Sequence, residues 1–160
     1  RKLIDNRTKR QERMKRVGED AGRTPRVACV EWLDPMFVGG HWVPEMVEEL
    51  GGISLGTPGG HSHEIEWTDV AAHEPDTVVL MPCGFETERA ERGGRTLLDR
   101  IRDEHDPDLS GTSIYAVDGS SYFSRPGPRL WWGMELLGAL IYPEKEDEFD
   151  DPGGAAVELE

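Results

Sequence analysis

Apolar residues along this 160-residue chain come in short bursts separated by glycine, proline and charge, and the spacing within each burst sets its element. Residues 1–20 place Leu3, Ile4, Met14 and Val17 amid dense charge, which predicts a helix with a thin apolar stripe that needs a surface to lie against. After Gly22 and Pro25, residues 26–32 read as a buried strand that emerges at Glu31 and Trp32. Residues 33–41, with Pro35 and the Gly39-Gly40 pair, read as loop. Trp42, Met46, Val47 and Leu50 then recur at helical spacing until Gly51-Gly52 stops them. A short strand at 53–55, a loop at 56–63 and a brief helix from Thr68 to His73 lead to the clearest buried strand, 77–81. Residues 85–102 are helical in pattern, although Gly93-Gly94 is expected to interrupt them. Residues 113–117 form a further strand and 118–128 a loop, and 129–142 form a helix with one broad apolar face.

Strands alternating with helices predict an α/β fold, a small parallel sheet covered on both faces in a Rossmann-like lobe, preceded by a long connecting helix. The expected division is a connecting helix at 1–22, a lobe at 23–143 and a tail at 144–160. Ligands of such sheets sit in the loops beyond the carboxyl ends of strands, so 34–42, 82–86 and 118–125 are expected to converge on one edge.

Charge refines this picture. The chain carries 32 acidic and 18 basic side chains, a net −14. Residues 1–26 hold ten basic and four acidic side chains, or +6, which leaves −20 for the remainder. That balance is wrong for binding nucleic acid or an anionic membrane surface, both of which need clustered Lys and Arg. An acidic body of this kind matches the surfaces of halophilic, archaeal-like proteins, in which salt screens self-repulsion. Residues 144–160 carry eight acids against Lys145 and read as a disordered, solvating tail. Cys29 and Cys83 are far apart, pair with no neighbouring cysteine, and read as buried small hydrophobes.

Chemistry concentrates in the expected edge loops. Residues 31–42 bring Trp32, Phe37, His41 and Trp42 beside Glu31 and Asp34, where an ordinary loop is small and polar. Aromatic side chains with few rotors are what surfaces use to hold large flat ligands. Residues 118–129 repeat the theme with Ser120, Ser121, Tyr122, Phe123 and Ser124, and fix Arg125 before a proline to meet a carboxylate, amide or phosphate. His61 and His63, with His41 and Asp34, form only a weak metal pattern, and no metal site is assigned. The phosphate-binding, dinucleotide and nucleophile-elbow signatures are missing, Cys83 is the one conceivable nucleophile, and no catalytic residue is assigned.

Three segments carry a resemblance. Residues 26–46, residues 76–85 and the run Tyr122-Phe-Ser-Arg-Pro-Gly-Pro-Arg129 resemble the cobalamin-binding branch of the class III periplasmic substrate-binding proteins, the solute receptors of ABC importers. The resemblance implies two α/β lobes joined by a rigid helix, this chain being that helix and the carboxyl-terminal lobe. It implies a non-enzymatic receptor that binds cobalamin or a related corrinoid and works outside the cytoplasm, at the cell surface, with ABC permease subunits. A siderophore, haem or metal-ion receptor of the same fold is the alternative. On this resemblance Phe37 meets the corrin, the 60–63 loop with His61 and His63 makes another contact, and Ser121 and Arg125 reach the ligand's edge. Glu66 or Asp69 docks on the permease. An exposed connecting helix is expected to favour self-association.

Overall fold

A computed structural model describes the backbone of residues 2–150 and 152–160 and the side chains from residue 8 onward, apart from residue 151. The chain runs α1 (Lys2–Asp20), β1 (Arg26–Leu33), β2 (Met36–Val38), α2 (Val43–Glu49), β3 (Ile53–Ser54), α3 (Trp67–Ala72), β4 (Thr77–Leu80), α4 (Thr87–His105), β5 (Ser113–Val117), α5 (Gly119–Tyr122) and α6 (Leu130–Ile141). A 3-10 turn (Pro143–Glu148) and β6 (Ala156–Glu158) follow.

The sheet is ordered β2-β1-β4-β5-β6, with β3 also on β1. Its centre is parallel: β1 pairs with β4, β4 with β5, and β3 with β1. The two outer strands, β2 and β6, are antiparallel to their neighbours. The parallel α/β lobe is therefore present, edged by two antiparallel strands.

Side-chain alternation along the central strands builds two cores, one on each face. Val27, Cys29, Val79 and Met81 face a layer containing Val47, Leu50, Met134 and Leu137 from α2 and α6. Ala28, Val30, Val78 and Leu80 face the opposite layer, with Val70 of α3 and Leu97, Leu98 and Ile101 of α4. The continuous apolar runs of β1 and β4 follow from burial on both sides.

Four expectations are corrected. The 33–41 loop contains β2, which folds back on β1 with Trp32 opposite Phe37 and Leu33 opposite Met36. Gly93 and Gly94 do not interrupt α4, because they let it lie close to the sheet. A Cβ on Gly94 would come within 2.7 Å of Leu159 and 2.9 Å of Leu80. The helix penalty of about 1 kcal/mol per glycine is offset by that approach.

The first helix does not project freely. Met14 and Val17 are buried at 0% and 2% exposure, packed in the core of α2 and α6. The part of the stripe that could drive self-association is thereby already covered over this stretch; the Leu3 and Ile4 side chains lie outside the described residues.

The tail is ordered. β6 extends the sheet, with Tyr115 opposite Glu158 and Val117 opposite Ala156, and Phe149, Ala155 and Leu159 are buried. Its acids find bases on the amino-terminal segment: Arg10 meets Asp150 at 3.1 Å and Arg23 meets Glu144 at 2.9 Å. The +6 start and the acidic end of the chain thus compensate one another, which composition taken segment by segment conceals.

Candidate functional site

Because β1, β4 and β5 run parallel, the segments that leave them emerge on one edge, and main-chain hydrogen bonds knit them together. The Cys83 N–H donates to the Glu31 carbonyl at 3.1 Å, joining the first two segments. The Ser120 N–H donates to the Phe85 carbonyl at 3.1 Å, and Gly84 N–H reaches Ser124 Oγ at 3.4 Å, joining the second and third. Trp42 Nε1 donates to the Phe123 carbonyl at 3.1 Å, closing the circuit between first and third. The three expected segments form one continuous surface.

Its apolar part is aromatic. Trp32 is 38% exposed and meets Phe85 edge-to-face with ring centroids 5.5 Å apart. Its indole N–H donates to the Asp34 carbonyl at 3.2 Å, which ties the ring to the hairpin. Phe37 is the cross-strand partner of Trp32 on β2 and is half-buried, so the two lie on the same face of the hairpin. The Arg89 guanidinium lies 3.8 Å from the Phe85 ring centroid, a cation-π contact that brings positive charge to the rim.

A second aromatic group sits beside the 56–63 loop. His41 and Trp42 have ring centroids 5.8 Å apart, and His41 and His61 are edge-to-face at 5.5 Å. The His41 N–H donates to the Gly60 carbonyl at 2.7 Å and Gly59 N–H donates back to the His41 carbonyl at 3.2 Å. His41 takes φ +58°, sparsely populated for a residue with a Cβ, and this reciprocal clamp holds it there. His63 is exposed, with Nδ1 3.3 Å from the His61 carbonyl. No group of three or more His, Cys, Asp and Glu close enough to hold a metal ion occurs among the described residues.

In the third segment the Asp118 carboxylate caps α5 by accepting the Ser121 N–H at 2.8 Å. Ser121 and Tyr122 are half-buried at the surface, and Arg125 is exposed with no ion pair among the described residues. Phe123 does not belong to the ligand surface: at 4% exposure its ring is packed in the core, and only its carbonyl serves the edge, by accepting from Trp42. The ring turns inward because Gly133 of α6 leaves room for it; a Cβ there would lie 3.1 Å from Phe123.

Cys83 is exposed at this edge, whereas Cys29 is buried as expected. Partial desolvation of its sulfur and the nearby Glu31 carboxylate push the Cys83 thiol above its ordinary value, while a hydrogen bond with Ser124 opposes them. A thiol held protonated is a poor nucleophile. Burial pushes Cys29 up to about 12.

The candidate docking acids lie apart from the rings at the start of α3. The Asp69 carboxylate accepts the Glu66 N–H at 2.8 Å and so serves as a helix cap. Glu66 is exposed, one residue beyond Ile65, whose N–H donates to the Met36 carbonyl of β2 at 2.8 Å. Two surface residues, Phe85 and Arg89, were not singled out by sequence reasoning. Their signal was position: Phe85 follows β4 by five residues and Arg89 is one helical turn further on.

No protein-family model and no curated protein matches the chain. Solved structures do. An ABC transporter substrate-binding protein from Listeria monocytogenes superposes with a TM-score of 0.70 at 12% identity, over 89% of this chain and 56% of that one. A periplasmic heme binding protein from Pseudomonas aeruginosa gives 0.65 at 23% identity, over 88% and 51%. The periplasmic vitamin B12 binding protein of Vibrio cholerae gives 0.58 at 14% identity, over 88% and 52%. The chain has the fold of one lobe of these binding proteins and spans about half their length. Among the described residues no helix is long and apolar enough to cross a membrane.

Proposed function

We propose that this chain is the carboxyl-terminal, ligand-contacting lobe of the substrate-binding receptor of an ABC importer, and that its ligand is a corrinoid such as cobalamin. One observation carries the reading: an aromatic surface of exposed Trp32 with half-buried Phe37 and Phe85, with Arg89 over Phe85 and exposed Arg125 on the adjoining segment, built where the parallel strands end. Flat rings that are pre-positioned by backbone hydrogen bonds contact a macrocycle with little loss of conformational entropy. Arginines on the rim meet the polar groups of its periphery. Among the structures that share the fold, the Listeria monocytogenes ABC transporter substrate-binding protein supports the importer part of this reading and the Vibrio cholerae vitamin B12 binding protein the choice of ligand.

A second reading, haem, is favoured by one feature. His41 and His61 present two exposed imidazoles with ring centroids 5.5 Å apart, a donor type that holds haem iron, and arginines suit carboxylate side arms. The Pseudomonas aeruginosa heme binding protein shares the fold.

In either case the lobe works outside the cytoplasm, closes on its ligand with a second lobe, and docks on the permease through Glu66 or Asp69, the two acids that form the capping box of α3. Absorbance titrations with cyanocobalamin, haemin and a ferric catecholate separate the readings. A saturable change in the corrinoid bands supports the first. A Soret shift that His41→Ala and His61→Ala abolish replaces it with the second, and no saturable change with any of the three removes both.

A further inference from the structure

Between α5 and the start of α6 lies a cleft that adjoins the third segment of the strand-end edge. Its volume is about 400 Å3, and Ser121, Tyr122, Arg129, Trp132 and Pro152 line it. That size falls within the range of about 300–1,000 Å3 that small-molecule sites occupy.

The lining is unusual for this acidic chain in two independent respects. Among the described side chains, ten arginines have a carboxylate, a carbonyl or an aromatic ring as partner, from Arg10 on Asp150 to Arg89 on Phe85. Arg129, like Arg125, has none and stands exposed. In a protein with 32 acidic side chains, a guanidinium without a carboxylate is free to take a ligand's anion. The second respect is apolar. Trp132 is 39% exposed, and the Arg10 guanidinium lies 4.7 Å from its ring centroid, held there by Asp150 at 3.1 Å. The indole is thus steadied from its own helix pair while it still borders the cleft.

A planar guanidinium donates two parallel N–H bonds to two oxygens of a carboxylate or phosphate. An indole and a phenol a short distance away accept the face or edge of a flat ring. We propose that this cleft is a binding site for an aromatic anion, with the carboxylate or phosphate on Arg129 and the ring against Trp132 and Tyr122. Ser121 and Tyr122 belong to the third segment of the strand-end edge, so the cleft adjoins that surface, while Arg129, Trp132 and Pro152 lie outside it.

The test is a titration of the 15N-labelled chain with phenyl phosphate, benzoate and benzyl alcohol, following the Trp132 indole N–H and the Arg129 Nε–H. The expected result is a saturable shift of both signals with at least one of the two anions and none with the alcohol. Whichever anion binds more tightly identifies the group as phosphate or carboxylate. Arg129→Gln is expected to weaken that binding at least tenfold, Trp132→Ala to weaken it as well, and Arg129→Lys to fall between wild type and Arg129→Gln, because charge remains and the fork is lost. Equal shifts with benzyl alcohol, unchanged affinity in Arg129→Gln, or no saturable shift with either anion would overturn the proposal.

Discussion

The backbone N–H of Asp150 donates to the buried carboxylate of Glu135 at 3.0 Å, and through this bond the end of the chain is anchored to α6. Glu135 has no solvent exposure, and its other oxygen is met by Arg13 of α1, with Arg10 at 3.8 Å. One carboxylate therefore ties together the first helix, the last helix and the tail. Glu135→Ala leaves the Asp150 N–H without its acceptor and takes one acceptor from each of Arg13 and Arg10, which keep Asp150 and, for Arg13, the Glu148 carbonyl. A loss of about 3 kcal/mol is expected, the scale for breaking a buried ion pair by removing one member. Urea denaturation measures it, and faster amide exchange at Ala156–Glu158 is expected alongside.

Gly138 faces the ring of Phe149 so closely that a Cβ would collide with it. Gly138→Ala is expected to displace the ring and cost about 1–3 kcal/mol, as overpacking does. Phe149→Ala in the same background is expected to relieve the clash, so a double-mutant cycle reads the coupling directly.

Burial lowers the pKa of His73, whose Nε2 lies 3.2 Å from the Ile53 carbonyl. The folded state therefore binds this proton less readily than the unfolded chain. The resulting stability is fully present above the unfolded value near 6.5 and is lost as pH falls toward the lower folded value. Glu144, whose pKa is lowered chiefly by its hydrogen bond with Arg23, acts with the same sign further down, below about pH 4.5. A melting temperature that drops from pH 7 to pH 5 is expected, with a flatter slope in His73→Gln. An equal slope in that variant would remove His73 from the account.

Salt acts on two opposed features. It weakens exposed pairs such as Arg10 with Asp150 and Arg23 with Glu144, which contribute little when solvated. It also screens the self-repulsion of a chain with net charge −14. The second effect is the larger here, so the melting temperature is expected to climb between dilute and molar KCl. A flat or falling response would show that the acidic surface is not a salt adaptation.

The parallel centre of the fold was legible because β1 and β4 are buried on both faces and so read as unbroken apolar runs. The edge strands were not. Met36–Val38 is three residues long and sits between a proline and two glycines, and its strand character comes from its partner β1 rather than from its own composition. Ala156–Glu158 is likewise strand only because β5 offers an unpaired edge. The acidic tail looked unable to fold because the bases that neutralise it are more than a hundred residues away.

Aromatic density in residues 31–42 points to Trp32, Phe37 and Trp42; Trp32 is exposed beside the strand ends, Phe37 is half-buried, and Trp42 is packed partly against the core. Phe123 followed the same rule and failed it, since adjacent Tyr122 and Phe123 on a single helical turn point in different directions and only one can face out. Phe85 and Arg89 required knowledge of which segment lies beside Trp32, a long-range relation that local pattern does not contain.

Binding of a macrocycle at the strand-end edge is tested most directly by tryptophan quenching with cyanocobalamin, comparing the wild-type chain with Phe37→Ala, Phe85→Ala and Arg125→Lys. Saturable quenching that weakens by about 1–3 kcal/mol in each alanine variant, and also weakens in Arg125→Lys, is the expected result. Saturable quenching with the same affinity in all three variants would contradict the site.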